Sequence, residues 1–334
     1  MTDNGIIISS RIRLARNIAE LPFPARLSDT TANAVVDTAA AALKSAGEDI
    51  VLYKLSQMRE VDKMLLIEKR LISDDLLKIN KSGAAIVTED KEVSVLINEE
   101  DHFRLQSFAP GLALFLAFQR INRIDDIFSA KFKMAYNENL GYLTACPTNL
   151  GTGMRASVMM FLPGLTITGF LGGCIADFSR LDITVRGLYG EGSGNDGYLY
   201  QVSNQKTLGL SEKEIIESVT VTVEMIVVQE EKARKAIFEQ NGVEMRDKIM
   251  RAYGILSSSY VMSSSELLEK LSLVKLGVYY NIFECADLSK LDELIIKCMP
   301  AHLSFVAKNQ LISLQRDIFR AEFVSKEIKE IITF

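Results

Sequence analysis

The chain has 334 residues, of which 48% are apolar and 24% charged, and its formal net charge is −5. This length accommodates two domains or one large one, and the composition excludes a disordered chain and a small disulfide scaffold. No stretch is strongly basic, which argues against binding bulk nucleic acid and leaves open phosphate recognition by a few arginines. Four cysteines (Cys146, Cys174, Cys285, Cys298) form no Cys-x-x-Cys pair, and with two histidines they make too few ligands for a zinc site. Scattered thiols of this kind fit a reduced, cytoplasmic protein, and the N-terminus has no basic start or long apolar core of a secretory leader.

In chain order, residues 5–10 read as a strand running into Arg11-Ile-Arg13. Helices are expected near 30–46 and 59–71. Strands 84–88 and 93–98 form a hairpin through Glu89-Asp90-Lys91. A helix is expected over 104–121 and a strand over 141–146. The loop Asn149-Leu-Gly-Thr-Gly153 should then open into a helix. Residues 156–176 carry no charge, a length that could span a bilayer. Pro163-Gly164 breaks that run, and two buried soluble helices are the better reading. Strands follow over 181–190 and 199–204. Ser211 and Glu214 form a capping box, starting a helix that runs to about Phe238. Beyond it only helical segments are expected, near 241–253, 263–275, 287–298 and 313–331. The whole reads as α+β, with a mixed domain over 1–238 and a helical one over 239–334.

Phosphate fingerprints are the next question. The chain has no P-loop. Gly192, Gly194 and Gly197 match the spacing of a dinucleotide motif, but a strand follows them where a helix is required. A loop closing over a site is the better use of those glycines. Gly151 and Gly153 fit either a plain turn or a backbone cradle for an anion at a helix N-terminus. Arg11 and Arg13, two apart in a strand, point the same way. Arg104 is read as lying just past a strand end, Arg155 as opening a helix, and Arg186 as lying in a strand. Each alone fits a surface ion pair; five at element ends favour a triphosphate, whose oxygens match the guanidinium fork. The run Glu99-Glu100-Asp101 before His102 fits a solvated turn, a clamp for a cationic substrate, or Mg²⁺ held by oxygens.

Three long motifs carry a resemblance: Ser9-Ser-Arg-Ile-Arg13, Asn98-Glu-Glu-Asp-His102 with Arg104, and Gly141 through Arg155. In this order they resemble the phosphagen kinase superfamily, the ATP:guanidino phosphotransferases. Val185 through Ser193, Gln201-Val-Ser-Asn-Gln205 and Arg316-Asp-Ile-Phe-Arg-Ala321 are similar to its protein-arginine kinase branch. The resemblance implies an antiparallel sheet flanked by helices, followed by a helical C-terminal domain that dimerises. It implies ATP and Mg²⁺, with the nucleotide held around Ser9, Ser10, Arg11, Ile12 and Arg13, Arg70, Arg104, Arg155, Ala156, Ser157, Val158 and Met159. Arg186, Gly187, Leu188, Tyr189, Gly190 and Glu191 complete that set. Magnesium would enter with ATP, near Glu99 and Asp101, without direct protein ligands.

The same resemblance makes Glu100 the base, Glu191 a second carboxylate clamp and Cys146 a reactive thiol. Arg70 stands where the family often has a histidine. Arg316, Asp317, Arg320 and Ala321 become a phosphoarginine-binding site with allosteric effect. Two cations at i and i+4 on one helix face repel unless an anion sits between them. The short segment before the first motif fits an open site that admits a residue on a protein. Implied partners are arginine-bearing proteins, including a transcriptional repressor, an activator protein and an ATP-dependent protease. A role in protein quality control and stress response is implied as well, with no direct nucleic-acid or membrane contact.

Overall fold

The computed structural model describes residues 5–78, 82–187 and 197–334. Its strands, in chain order, are β1 (Ile7–Arg16), β2 (Ile50–Lys54), β3 (Ala84–Thr88), β4 (Val93–Ile97) and β5 (Phe103–Pro110). After them come β6 (Tyr136–Asn137), β7 (Gly141–Tyr142), β8 (Met154–Phe161), β9 (Ile183–Gly187) and β10 (Leu199–Asn204). Two short strands, β11 (Glu284–Cys285) and β12 (Ile332–Thr333), pair near the C-terminus. The helices are α1 (Asp29–Ser45), α2 (Glu60–Glu68), α3 (Asp74–Leu77), α4 (Leu114–Lys131), α5 (Pro163–Ile167) and α6 (Leu171–Ser179). The C-terminal part adds α7 (Glu212–Ser258), α8 (Ser264–Tyr279), α9 (Ser289–Lys297), α10 (Pro300–Val306) and α11 (Ser313–Ile331).

Eight strands make one sheet in the order β2-β3-β4-β5-β1-β8-β10-β9, and every neighbouring pair is antiparallel. Period-2 alternation then sorts side chains between two faces. One face carries Ile12 and Leu14 from β1, Leu105 from β5, Ala156 and Val158 from β8, and Val202 from β10, all fully buried with α1, α4 and the first half of α7 in one core. The opposite face is split. Over β2–β4 it is covered by Leu66, Leu71, Ile72 and Leu76. Over β5, β1, β8 and β10 it carries Arg104, Gln106, Arg11, Arg13, Arg155, Ser157, Gln201 and Ser203, cross-strand partners in register.

Three sequence expectations fail here. The helix over 104–121 is instead β5 followed by α4, and the helix after Gly153 is strand β8. Arg104 and Arg155 therefore lie inside strands. The strand over 141–146 shrinks to Gly141–Tyr142. With β8 extended, the glycine loop has no helix N-terminus to offer. Its glycines serve backbone approach: at Gly151 (φ 109°) an added Cβ would lie 2.4 Å from Thr207 O, and at Gly153 (φ 65°) 2.6 Å from Ala15 O. Among the described residues, no helix is long and apolar enough to cross a membrane.

The capping box at Ser211 is present, but the helix it starts does not stop near 238. It runs to Ser258 through a kink at Asn241, whose φ of −132° is non-helical. Ile215 through Ala233 belong to the sheet core, while Ile237 through Leu256 join a second core with α8, α9 and α11. At the seam the buried Glu230 carboxylate accepts the N–H groups of Gly164 and Leu165, each at 2.8 Å, satisfying the start of α5. Arg234 pairs with Glu230 at 2.6 Å and donates to Phe161 O at 3.0 Å.

Candidate active site

β1 and β8 set Arg13 directly opposite Arg155, and Arg11 opposite Ser157. Like charges facing across a ladder repel, so this register is unfavourable unless an anion lies over it. Arg13 Nε and Arg155 Nε are shut off from solvent and have no hydrogen-bond partner among the described residues. Arg155 donates to Ser203 Oγ at 2.8 Å and Arg11 to Gln201 Oε1 at 3.2 Å, both neutral acceptors. Burial, then repulsion from Arg70, Arg104 and Arg155, lowers the Arg11 pKa to about 9. Arg13 is lowered well below its ordinary value in the same way, by burial first and then by Arg11, Arg104 and Arg155, against a raising by Glu99. Arg155 is lowered by burial, Arg186 and Arg104. Among the described residues, Arg104 alone of the strand arginines on this face has a carboxylate, Glu99, at 2.7 Å. Buried, unbonded donors on mutually repelling cations fit a polyphosphate, which supplies both the charge and the acceptors.

A cavity of about 60 Å³ beside these arginines is lined by Ser9, Arg11, Arg70, Phe108, Ser157, Met159 and Gln201. Gln201 and Ser203, together with Gln106, are site-face residues that the sequence reading did not assign. Their signal was there: polar residues at i and i+2 in a strand beside an arginine strand. Four residues expected around the nucleotide point the other way. Ser10 donates to Gly111 O at 2.7 Å and accepts from Ala113 N–H at 2.9 Å, while Ile12, Ala156 and Val158 are core. Arg186 is exposed on β9 opposite Gln201, and Gly187 ends that strand. Leu188, Tyr189, Gly190 and Glu191 lie outside the described residues.

Glu100 sits in the turn between β4 and β5. Asn98, with φ 58°, closes the turn by donating its N–H to His102 O at 3.0 Å. The flanking carboxylates are pinned. Ser73 Oγ and Arg104 Nη1 both donate to Glu99. Asp101 accepts from Asn17 Nδ2 at 2.5 Å and from Ala145 N–H at 2.7 Å. Both are thus occupied by protein donors, which fits magnesium entering on phosphate oxygens without direct ligation. Among the described residues no group of three His, Cys, Asp or Glu side chains could hold a metal. Glu100 itself is exposed, and its pKa is raised by partial desolvation first and then by Asp101 and Glu99, against a lowering by Arg104. His102, pushed down to about 4 by burial, stays neutral.

The Asp101–Ala145 bond brings the Cys146 loop to the same turn. Cys146 precedes a short turn of 3₁₀ helix, Pro147–Asn149, and its Sγ is 3.0 Å from Thr148 Oγ1. Burial raises the pKa of Cys174 and Cys285 and pushes that of Cys298 up to about 12.

Arg320 is fully buried, with Nε donating to Cys298 O at 3.1 Å and Nη1 to Met262 O at 2.8 Å and Asp317 Oδ1 at 2.5 Å. A buried guanidinium spends its donors on nearby acceptors, and here they come from Cys298, Met262 and Asp317. Arg316 is half-buried and lines a cleft of about 720 Å³ between α2 and α10. Ala321 is buried in the second core.

An antiparallel sheet presenting strand arginines beside a carboxylate turn defines a class of phosphotransferase, and comparison agrees. The chain belongs to the ATP:guanido phosphotransferases: the model of that family's C-terminal catalytic domain matches residues 31–233. A second model, the protein-arginine kinase McsB C-terminal domain, matches residues 242–333. The chain is similar to the protein-arginine kinase of Caldanaerobacter subterraneus subsp. tengcongensis, with 41% identity over 98% of each chain. It is 40% identical to that of Clostridium tetani, over 99% of this chain and 98% of the relative. Its fold is similar to the crystal structure of lombricine kinase, with a TM-score of 0.61 and 27% identity over 69% of this chain and 68% of the other.

Proposed function

We propose that the protein transfers the γ-phosphoryl group of ATP to arginine side chains of proteins, with magnesium accompanying the nucleotide. The observation that carries this reading is the opposed Arg13–Arg155 pair with its unbonded Nε atoms. Arg11, Arg13, Arg104, Arg155 and Arg186 hold the phosphates, and Arg70 edges the nucleotide. Phosphoryl transfer passes through a loose, charge-rich transition state, so fixed cations supply much of the catalysis. Magnesium bound to the phosphates adds further neutralisation.

The acceptor guanidinium has no free lone pair while protonated. A substrate nitrogen forms the new P–N bond as the bond from phosphorus to the β–γ bridging oxygen breaks, and its proton passes to Glu100. A raised carboxyl pKa makes Glu100 a stronger proton acceptor once ionised. Glu191 is the second clamp on the guanidinium, and Cys146 lines the acceptor side. The protein-arginine kinase name of the relatives and the matching C-terminal domain favour a protein acceptor over a free metabolite. Arg316, with Asp317, Arg320 and Ala321 behind it, would bind phosphoarginine through the cleft at α2. We further propose a cytoplasmic dimer acting with an activator, a repressor substrate and an ATP-dependent protease in stress response.

The test is incubation with ATP and a generic protein, or with free arginine or creatine, scored by acid-labile phosphate. Label on protein alone is expected. Label on the free guanidines alone would replace the reading by a metabolite kinase, and no label on either would remove it.

A further inference from the structure

Arg70 reaches the phosphate cavity from outside the sheet, at the end of α2. It follows α2, and its φ is 59°, a conformation that a residue with a side chain adopts only when its surroundings hold it. Two anchors hold this corner. From the sheet, Gln106 Nε2 donates to Arg70 O and Leu71 O, each at 3.0 Å, and to Ser94 Oγ at 2.7 Å. From the other side comes Glu68, the last residue of α2 and 8% exposed. Its carboxylate accepts Ala301 N–H at 2.6 Å, His302 N–H at 2.9 Å and His302 Nδ1–H at 2.6 Å. Those donors belong to α10, more than 230 residues further along the chain. The buried charge is thus satisfied entirely by the C-terminal region, two residues from a guanidinium that faces Arg11.

We propose that Glu68 is a positioning residue through which the C-terminal helical region completes the nucleotide site. Docking of α10 on Glu68 fixes the end of α2, and the end of α2 fixes where Arg70 stands. When α10 shifts relative to α2, Arg70 moves and ATP affinity changes. This rests on the reading of the arginine face as the ATP site. Among the described residues Glu68 has no lysine or arginine ion pair; its partners are peptide dipoles and one imidazole, which release and re-form with a movement of α10.

The test uses the full chain and reads KM for ATP, kcat and the ATP dissociation constant. His302→Ala removes one donor and leaves both backbone bonds; Glu68→Gln weakens all three. Each is expected to raise KM for ATP by about three- to ten-fold, within the range of coupling between neighbouring groups, with kcat little changed. In an Arg70→Ala background the same changes should add nothing. If Glu68→Gln costs as much there as in the wild type, or lowers the unfolding midpoint with KM unmoved in both single variants, the residue is a staple and the proposal is wrong. Arg13→Ala separates the two readings. ATP affinity lost in Arg13→Ala but untouched in Glu68→Gln would overturn this proposal alone, whereas affinity retained in Arg13→Ala would remove the ATP site and the proposal with it.

Discussion

Arginines occupy two kinds of place in this molecule. Arg16, Arg234 and Arg320 are almost wholly buried, and each has its own carboxylate: Asp125 at 2.7 Å, Glu230 at 2.6 Å and Asp317 at 2.5 Å. Arg16 also donates to Ala15 O and Thr152 O and lies 3.6 Å over the Tyr142 ring. On the open face of the sheet Arg11 and Arg155 each have one neutral acceptor, and Arg11, Arg13 and Arg155 repel one another. The fold therefore satisfies a guanidinium fully when its task is structural. Where it leaves the charge uncompensated, the proposed function has the missing partner come from outside. The carboxylates of the β4–β5 turn repeat the pattern, with Glu99 and Asp101 pinned and Glu100 left open.

The sharpest break in that second contrast is Glu100→Gln. Removal of a general base is worth about 10²–10⁴ in rate, so turnover should fall by that factor while ATP binding stays. Near-wild-type turnover would show that the open carboxylate is not the base.

Next in size is the pair Arg16→Ala and Arg13→Ala. Removing Arg16 strands the buried Asp125 carboxylate and should cost about 3–5 kcal/mol of stability, read by urea unfolding. Removing Arg13 strands nothing, so stability should hold while ATP binding collapses. Equal destabilisation by both would erase the distinction between structural and site arginines.

A smaller effect of opposite sign is expected at Arg155. Replacing it by Met relieves the facing pair, so the ligand-free protein should gain roughly 1 kcal/mol, of the order seen for cross-strand like charges. That gain should disappear when ATP is added, because only the wild type keeps its full anion site. A loss of stability without ligand would mean that the facing pair is not strained.

The ladder that makes this pair visible was hidden in the sequence. The arginines, the carboxylate turn and the cysteine were all legible as residues, and the motifs carried the family. The strands that align them were not. Met154–Phe161 is buried on both faces, so its period of two is masked by Met159 and Phe161, which pack in a small cluster of their own. Phe103–Pro110 alternates, but it runs within four residues into the apolar stripe of α4, and the two merge into one apparent helix. The element after the glycine loop was misread for the same reason, and whether the loop is a plain turn or an anion cradle at a helix N-terminus depends on that element. The inward turn of Arg320 left no trace in spacing alone, because Cys298 O and Met262 O come from remote segments.

The smallest effect concerns pH. A carboxyl group whose pKa is raised on folding stabilises fully below its unfolded value and loses that contribution as pH rises through the folded one. For Glu100 the raised value means that the ionised form is disfavoured by folding at neutral pH. Glu100→Gln should therefore melt slightly higher than wild type at pH 7, with the difference vanishing below about pH 4, near the unperturbed glutamate value. A difference that grows on acidification would have the wrong sign.

The kinked helix α7 has a mechanical consequence. No flexible tether joins the two cores; one helix runs through both, and its single non-helical residue is Asn241. Beyond that residue the helix continues for 17 residues to Ser258, an arm of about 26 Å at 1.5 Å rise per residue. A change of ten degrees at the kink swings the far end of the arm by about 4 to 5 Å. Asn241 is thus a fulcrum, and small torques there become displacements large enough to slide one packed helix past another. A protease seeking an exposed linker between the halves would find a helical turn in its place.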